Sequence, residues 1–547
     1  MPVIQVSLTK LGQYCKKKAT VQMILETLPY LGLDIEDQQG DLVSVEYSPN
    51  RPDFSSEAGI ARSLVGILGI EVGDPKYIFP PSKYSISVTG EEITLVRPYI
   101  HGIYAEFPVT DETIKQLIAM QEDLHNGIGR RRVKVAIGIH NAQVISTEIK
   151  YYATKDKNFS FSPLGSETKI PIEKIIQGTE QGVAYGKLLG NAYAILEDSN
   201  GNVLSMPPII NGNLTTLEPG QSRLFIDVTG TDERVVDTTS AIIASMLSDS
   251  GGRVFSVEIK RKQGSMVTPE MRPKSMRFDL SLTNSILGYD FTQKQAESYL
   301  AKSRIGMYSN GNAIIPRYRY DIIHPIDLAE EVILGFGVQH VTPSSLKSDL
   351  VGSFSKRRKM LDLAIEAMVG LGFTEMWNLS LTSSRLTSQN SLKVEDAKSQ
   401  NYEYLRDSLS WTLLDALGNS SHQEYPQKIF EQAPVYKYST DNVSQVLEDE
   451  HLSGIMTSSD TSYSAIRSNV DALLRLIKRD VAVSFKSISA DMGPFAGGRS
   501  VAISISSEQG MFDVGICGEI HPAVLEKYGL KVPSAGFEIN LEPLVKE

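Results

Sequence analysis

Cysteine is nearly absent. Cys15 and Cys517 are the two in 547 residues, at opposite ends of the chain. That excludes a disulfide framework or a Cys-based zinc cluster and fits a reducing cytosol. Long apolar runs are missing too, since no stretch of about 18 apolar residues could span a bilayer. Met1-Pro2-Val3-Ile4-Gln5-Val6-Ser7 has no basic region followed by an apolar run, so no secretory signal is expected. Positive charge is in deficit: 54 Lys and Arg face 65 Asp and Glu, a net charge of −11. This argues against a general nucleic-acid coat. Three short basic runs, Arg130 to Lys134, Lys260 to Lys262 and Lys356 to Lys359, read first as solvated faces. The expectation is a soluble, cytoplasmic protein with no membrane contact.

What is present is ordinary globular material, 41% hydrophobic and 22% charged, long enough for about three to four domains. Units that mix strands and helices without a regular strand–helix repeat predict a multidomain α+β fold. The boundaries fall near residues 1–90, 91–262, 265–345 and 346–547. In the first unit, Leu42 to Tyr47 alternates as a strand should. It runs through a turn at Ser48-Pro49-Asn50-Arg51-Pro52-Asp53 into a helix with the apolar stripe Ile60, Leu64, Ile67 and Leu68. Arg51 and Asp53 read as fixing that turn.

In the second unit, Thr110 caps a helix to about Leu124 with Ile114, Leu117, Ile118 and Gln121 on one side. A Gly/Arg turn leads into the strand Val133 to Ile139, ending at His140-Asn141. Val203 to Asn213 reads as a loop broken by Pro207-Pro208, because such a pair cannot continue a ladder. Asn211 and Asn213 would emerge on it. A strand from Arg223 to Val228 follows, with the polar tail Thr229-Gly230-Thr231-Asp232.

In the third unit, Met276 to Ser281 reads as a strand, and Thr292 to Gln295 as a capping box before a helix. In the fourth, a helix from Lys356 carries Leu361, Ile365 and Met368, and 379–402 reads as a long loop. Strands at Val501 to Ile505 and Met511 to Ile516 suggest an antiparallel sheet flanked by helices.

The richest stretch is Tyr320-Asp321-Ile322-Ile323-His324-Pro325-Ile326-Asp327-Leu328-Ala329-Glu330-Glu331. Pro325 fits the first helical position, where its missing N–H costs nothing. Asp327, Glu330 and Glu331 then stand at i, i+3 and i+4 on one helix face, and Asp321 could fold back towards them. One reading is that acids in a first turn simply complement the helix dipole. Gathered around a cation instead, an oxygen-only set suits Mg²⁺.

Several phrases, in order along the chain, resemble the β-subunit family of phenylalanyl-tRNA synthetases in its shorter archaeal and eukaryotic cytosolic form. They are Asn50-Arg51-Pro52-Asp53 with Glu57 to Arg62, Val96-Arg97-Pro98-Tyr99, Gly129 to His140, Leu204 to Asn213, Phe225 to Asp232, and Asp321 to Gly337. Gly518-Glu519-Ile520-His521-Pro522 and Gly536-Phe537-Glu538 complete the set. The resemblance covers residue 50 to past 535.

It implies an assembly of two α and two β subunits in which the α subunit makes phenylalanyl-adenylate and charges tRNA(Phe). The β subunit would hold a site that hydrolyses mischarged tyrosyl-tRNA(Phe), placed in 91–262. It would also share a magnesium site through the small module 265–345, with Asp321, Asp327, Glu330 and Glu331 matching the ligand pattern. Candidates for the editing pocket are His140, Asn141, Asn211 and Asn213, with Thr229, Thr231 and Asp232. Asn141 stands where many relatives would carry Asp, which weakens an acid–base role there. Residues 346–547 resemble a degenerate class II synthetase domain. Phe430 to Val435 takes the strand position of the first phosphate-binding motif, but the domain lacks Gly-x-Gly-x-x-Arg. Its nearest echo is Phe495-Ala496-Gly497-Gly498-Arg499. No adenylation by this chain alone is expected. The competing readings are a free-standing deacylase and a purely structural tRNA-binding subunit.

Overall fold

The computed structural model describes residues 2–346, 348–388, 391–441, 443–477, 482–507 and 510–545. The chain divides into two compact units, Met1–Ser345 and Leu346–Glu547.

The first unit begins with a three-stranded antiparallel sheet in which Leu42–Tyr47 lies between Val3–Ser7 and Leu33–Gln39. Leu42–Tyr47 alternates in burial as its sequence pattern requires. The helix Glu57–Ile67 follows, capped by Ser56, whose side chain accepts from the Gly59 N–H, and buries Ile60 and Leu64. Arg51 and Asp53 pair in two-pronged fashion at 2.9 and 2.8 Å, closing the turn between strand and helix.

The centre of this unit is a ten-stranded sheet. Its order runs Ile210–Asn211, Val203–Met206, Tyr193–Asp198, Glu148–Thr154, Pro81–Val88, Arg253–Arg261, Tyr99–Glu106, Arg223–Gly230 and Val135–Asn141, with Gly264–Thr268 pairing Arg253–Arg261. Two adjacent pairings, of Pro81–Val88 with Arg253–Arg261 and with Glu148–Thr154, are parallel. One face packs under the helices Asp111–Asn126 and Glu233–Asp249 through Ile137, Ile139, Ile226, Val228, Leu117 and Leu247. Helix Glu233–Asp249 starts where Asp232 accepts from the Val235 N–H, so the polar tail read after Val228 is the last strand residues and a helix cap.

Three local readings need correction. Pro207-Pro208 does not open a loop. It sits at the turn of a hairpin whose arms, Val203–Met206 and Ile210–Asn211, pair on either side. Helix Asp111–Asn126 buries Leu117, Met120 and Leu124, leaving Ile118 53% exposed. Asp279 does not continue a strand from Met276. It caps the helix Leu280–Leu287 by accepting from the Leu282 N–H.

The small module at 274–337 has a three-stranded sheet, Lys274–Arg277, Asn312–Ile315 and Gly306–Met307, under three helices. The expected capping box at Thr292 and Gln295 opens Gln293–Lys302. The acidic helix runs Pro325–Phe336. Gly335 lies inside it, where a Cβ would stand 2.0 Å from the Tyr299 carbonyl oxygen. Gly337, at φ 103°, ends it.

The second unit is a seven-stranded sheet, ordered Thr374–Glu375, Gln427–Tyr438, Val446–Thr457, Ser534–Asn540, Gly510–Ile520, Phe495–Ser507 and Val483–Ile488. Only the short first pairing is parallel. Helices Lys356–Gly370 and Tyr463–Ile477 cover one face and Leu409–Asn419 the other, as the antiparallel reading of its sequence anticipates. Within the stretch read as a loop, Leu381–Thr382 pairs with Tyr404–Leu405, and residues 389–390 lie outside the described ones.

Candidate functional site

The ten-stranded sheet curls until its two ends meet. Ser205 Oγ, near the first edge, lies 3.5 Å from Asp227 Oδ2, one strand in from the last edge. Arg132 donates from Nη1 to the Pro208 and Ile209 carbonyls at 3.3 and 3.0 Å. With helix Asp111–Asn126 as the third wall, this encloses a cavity of ≈ 240 Å³. That is below the roughly 300–1,000 Å³ of drug-sized sites, so it suits a ligand no larger than a side chain.

One wall carries a buried polar relay. Strand pairing sets Asp227 opposite Gly138 and Phe225 opposite His140, so all four point to the same sheet face. Asp227 Oδ2 accepts from His140 Nε2 at 2.8 Å, and His140 Nδ1 shares a 2.8 Å hydrogen bond with Thr215 Oγ1. Their exposures are 0% for His140 and 1% for Asp227. Gly138 makes this possible, because a Cβ there would lie 2.1 Å from Asp227 Oδ2 and 2.6 Å from His140 Nε2.

The opposite wall ties helix Asp111–Asn126 to the free edge of strand Val135–Asn141. Gln121 Nε2 donates to the Ile137 carbonyl at 2.6 Å, and the Ile137 N–H donates to His125 Nε2 at 2.8 Å. These bonds satisfy the open edge that a sheet otherwise exposes. Because Nε2 accepts, the proton of neutral His125 sits on Nδ1, aimed at Glu122 Oε1 at 3.2 Å. Burial pushes the His125 pKa down. Glu122, bonded by His125 and by Arg132 at 2.9 Å, is held at about 2. Arg130, Arg131 and Arg132 form a left-handed turn at φ 47°, 53° and 65°, an unfavourable conformation for L-residues. It places the Arg132 guanidinium 4.4 Å from the centre of the Tyr185 ring and leaves Arg130 and Arg131 exposed.

The residues singled out from sequence separate here. Asn211 lines the cavity, and His140 stands behind it through Asp227. The others are engaged elsewhere. Asn141 Oδ1 accepts from the Gln143 N–H at 3.0 Å, and Asn213 Oδ1 from the Gly165 N–H at 3.0 Å. Thr229 Oγ1 accepts from Arg97 Nε at 2.9 Å, Thr231 Oγ1 donates to the Val133 carbonyl at 3.0 Å, and Asp232 pairs with Lys134 at 2.8 Å. Sequence reading passed over Asp227, Gly138, Ser205, Glu122 and His125. Asp227 alone left a legible signal, an acid inside the apolar run Leu224-Phe225-Ile226-Asp227-Val228.

The acidic helix is engaged differently from the reading of four ligands around one ion. Arg319, buried at 3% exposure, donates to Asp321 at 2.8 and 2.5 Å and also bonds Glu331. Asp327 turns back as a cap, accepting from the Ile323 and His324 N–H groups at 2.7 Å each. Burial would raise the Asp321 pKa, but Arg319 holds it at about 2. Glu330 is pushed up by partial burial and by Glu331, Asp321 and Asp327. Among the described residues no three acidic, histidine or cysteine side chains gather as a metal cage would. The donor set suits a hard cation in being all oxygen and more negative than Arg319 alone can balance. In geometry the guanidinium occupies the place between Asp321 and Glu331.

Comparison with known proteins agrees with this architecture. Residues 343–541 match the family model "Phenylalanyl tRNA synthetase beta chain CLM domain", and residues 276–338 match "tRNA synthetase B5 domain". The phenylalanine–tRNA ligase β subunit of Archaeoglobus fulgidus is 36% identical over 534 residues, 95% of this chain and 94% of that one. The Methanocaldococcus jannaschii β subunit is 32% identical over 561 residues, 99% and 100% of the two chains. The crystal structure of an N-terminal fragment of the Pyrococcus horikoshii phenylalanyl-tRNA synthetase β subunit superposes with a TM-score of 0.58 at 31% identity. It covers 61% of this chain and all of that fragment. A multidomain α+β chain of this size, matched end to end by such relatives, belongs to the phenylalanine–tRNA ligase β-subunit family.

Proposed function

We propose that this chain supports ATP-dependent attachment of phenylalanine to tRNA(Phe) by an α subunit, in an assembly of two α and two β subunits in the cytoplasm. We propose further that its ≈ 240 Å³ cavity hydrolyses mischarged tyrosyl-tRNA(Phe). The observation that carries the editing reading is the buried Asp227–His140–Thr215 relay facing that cavity. In the reaction, water adds to the ester carbonyl carbon, the bond to the ribose oxygen breaks, tyrosine leaves as a carboxylic acid, and the ribose hydroxyl takes a proton. Asp227 is the acceptor placed to orient the water, and His140 fixes the Asp227 carboxylate. Asn211 offers its amide to the ester. Glu122, ionised at neutral pH because its pKa is held at about 2, is the acceptor for a phenolic O–H. A site built to bond a hydroxyl rejects the analogue without one strongly.

Residues 346–547 serve in this reading as a noncatalytic, class II synthetase-like scaffold. Arg499, at the nearest echo of the glycine-rich motif, is an exposed side chain paired with Glu519 at 2.9 Å. Mg²⁺ at Asp321, Asp327, Glu330 and Glu331 is proposed from the donor chemistry alone. When bound it supplies a hard positive charge to the acidic face, and no step of the hydrolysis passes through it. Among the described residues no helix is long and apolar enough to cross a membrane.

The test is phenylalanine-dependent charging by this chain alone and after co-purification with its α partner, with clearance of Tyr-tRNA(Phe) measured beside it. Charging by the complex only, together with clearance lost in Asp227→Asn and Asn211→Ala, is the expected result. Clearance without any partner or charging would favour a free-standing deacylase. Equal clearance by the variants and the parent would remove the editing site.

A further inference from the structure

A second, larger cleft lies apart from the cavity, ≈ 1,030 Å³ and open to solvent. Its walls are the hairpin arm Gly264–Thr268, the first turns of helix Glu233–Asp249, and the module strands Lys274–Arg277 and Asn312–Ile315. Four cations line it against three acids, in a chain whose net charge is −11. Two of those cations are neutralised in place: Arg317 donates to Asp237 at 2.7 Å, and Arg272 pairs with Glu270.

Lys274 and Arg234 are not. The Lys274 ammonium has no ion-pair or hydrogen-bond partner among the described residues, its backbone pairing with Ile315. Arg234 donates only to the Tyr320 carbonyl at 3.1 Å, with its guanidinium 4.8 Å from the centre of the Tyr320 ring. The third acid, Glu233, is exposed. Partial burial, then Arg317 and Arg234, depress the Lys274 pKa, and the weaker pull of Asp237 and Asp321 does not offset them. The floor adds none, since His101 is buried, bonded to Ser240 Oγ at 2.8 Å and pushed down to about 3.

We propose that this cleft holds the sugar-phosphate backbone of tRNA, with Lys274 and Arg234 as the phosphate contacts. Both side chains are donors only, and Lys and Arg are the usual partners of phosphate oxygens. The open shape and the volume, several times that of the cavity, suit a run of backbone better than a single small anion. This rests on the reading that the chain handles tRNA, and it places a positioning contact away from the hydrolytic cavity.

The test uses the intact complex and tRNA(Phe) binding measured across a salt series. In the double variant Lys274→Ala/Arg234→Ala, affinity at low salt should fall about tenfold or more. The slope of log K against log salt should shallow by about 1–2, as loss of two phosphate contacts requires. Lys274→Arg should keep both, and Lys294→Ala, at an exposed lysine outside the cleft lining, should change neither. Tyr-tRNA clearance at saturating tRNA should be unchanged in the double variant. A double variant with the parent's affinity and salt slope overturns the proposal while leaving the editing reading intact. A lower affinity with an unchanged slope overturns it too. A parent complex that binds no tRNA overturns both readings together.

Discussion

Gly138→Ala puts a single methyl group where the relay is tightest. The new Cβ would stand 2.1 Å from Asp227 Oδ2, 3.0 Å from Asp227 Cγ and 2.6 Å from His140 Nε2. Asp227 is a short side chain bonded to His140 on one side and open to the cavity on the other, and it cannot swing clear of the new methyl without releasing His140. Losing a hydrogen bond to a carboxylate costs about 1.5–3 kcal/mol, and overpacking a buried site costs about 1–3 kcal/mol more. The expected destabilisation is therefore about 2.5–6 kcal/mol, read as a lower denaturant midpoint at unchanged slope. Clearance of Tyr-tRNA should fall at least tenfold in whatever fraction remains folded. Gly178→Ala is the matched control, because a Cβ there meets no atom within 4 Å, and it should be neutral or slightly stabilising. If Gly138→Ala keeps both its stability and its clearance, Asp227 and His140 do not pack as described, and the hydrolytic role given to them falls with that geometry.

Two further predictions address charge. His101 has a folded pKa of about 3 against an ordinary 6.5, so its neutral form is the stabilising one. That stability is complete above the unfolded value and is lost as pH falls towards the folded one. Between pH 7 and pH 5 the loss should be about 2 kcal/mol, and His101→Gln should flatten the pH dependence of the denaturant midpoint by that amount; parallel curves for variant and parent would refute it. Arg319→Met leaves Asp321 and Glu331, with side chains only 14% and 7% exposed, without their counter-charge. It should cost about 3–5 kcal/mol, and Mg²⁺ should restore part of the loss, since a ligand of the folded state alone raises stability. No magnesium effect on unfolding in either protein would set the metal reading aside.

The sequence by itself determined the elements whose causes are local. Thr110 caps its helix, the Thr292–Gln295 box opens another, Pro325 starts the acidic helix, and Leu42–Tyr47 alternates into its sheet. Each depends on contacts within a turn or two of helix, or on the two-residue period of a strand, and those spacings are written in the chain. The ordered phrases of the family were legible for a different reason, being matched as words rather than derived. Arg319 could not be read as the counter-ion of the acidic cluster. It stands two residues from Asp321, but its bond to Glu331 depends on how the preceding segment folds against helix Pro325–Phe336.

The cavity was the least legible feature. His140 and Asp227 lie 87 residues apart, and their meeting is a matter of strand register, where a shift of one residue would turn every side chain to the other face. Gln121 and His125 look like ordinary helix residues until the edge strand lies beside them with the Ile137 N–H and carbonyl on its open side. The tertiary structure alone decided how Asp227 meets the cavity, because strand pairing sets it opposite Gly138 and only closure of the curled sheet brings Ser205 to it.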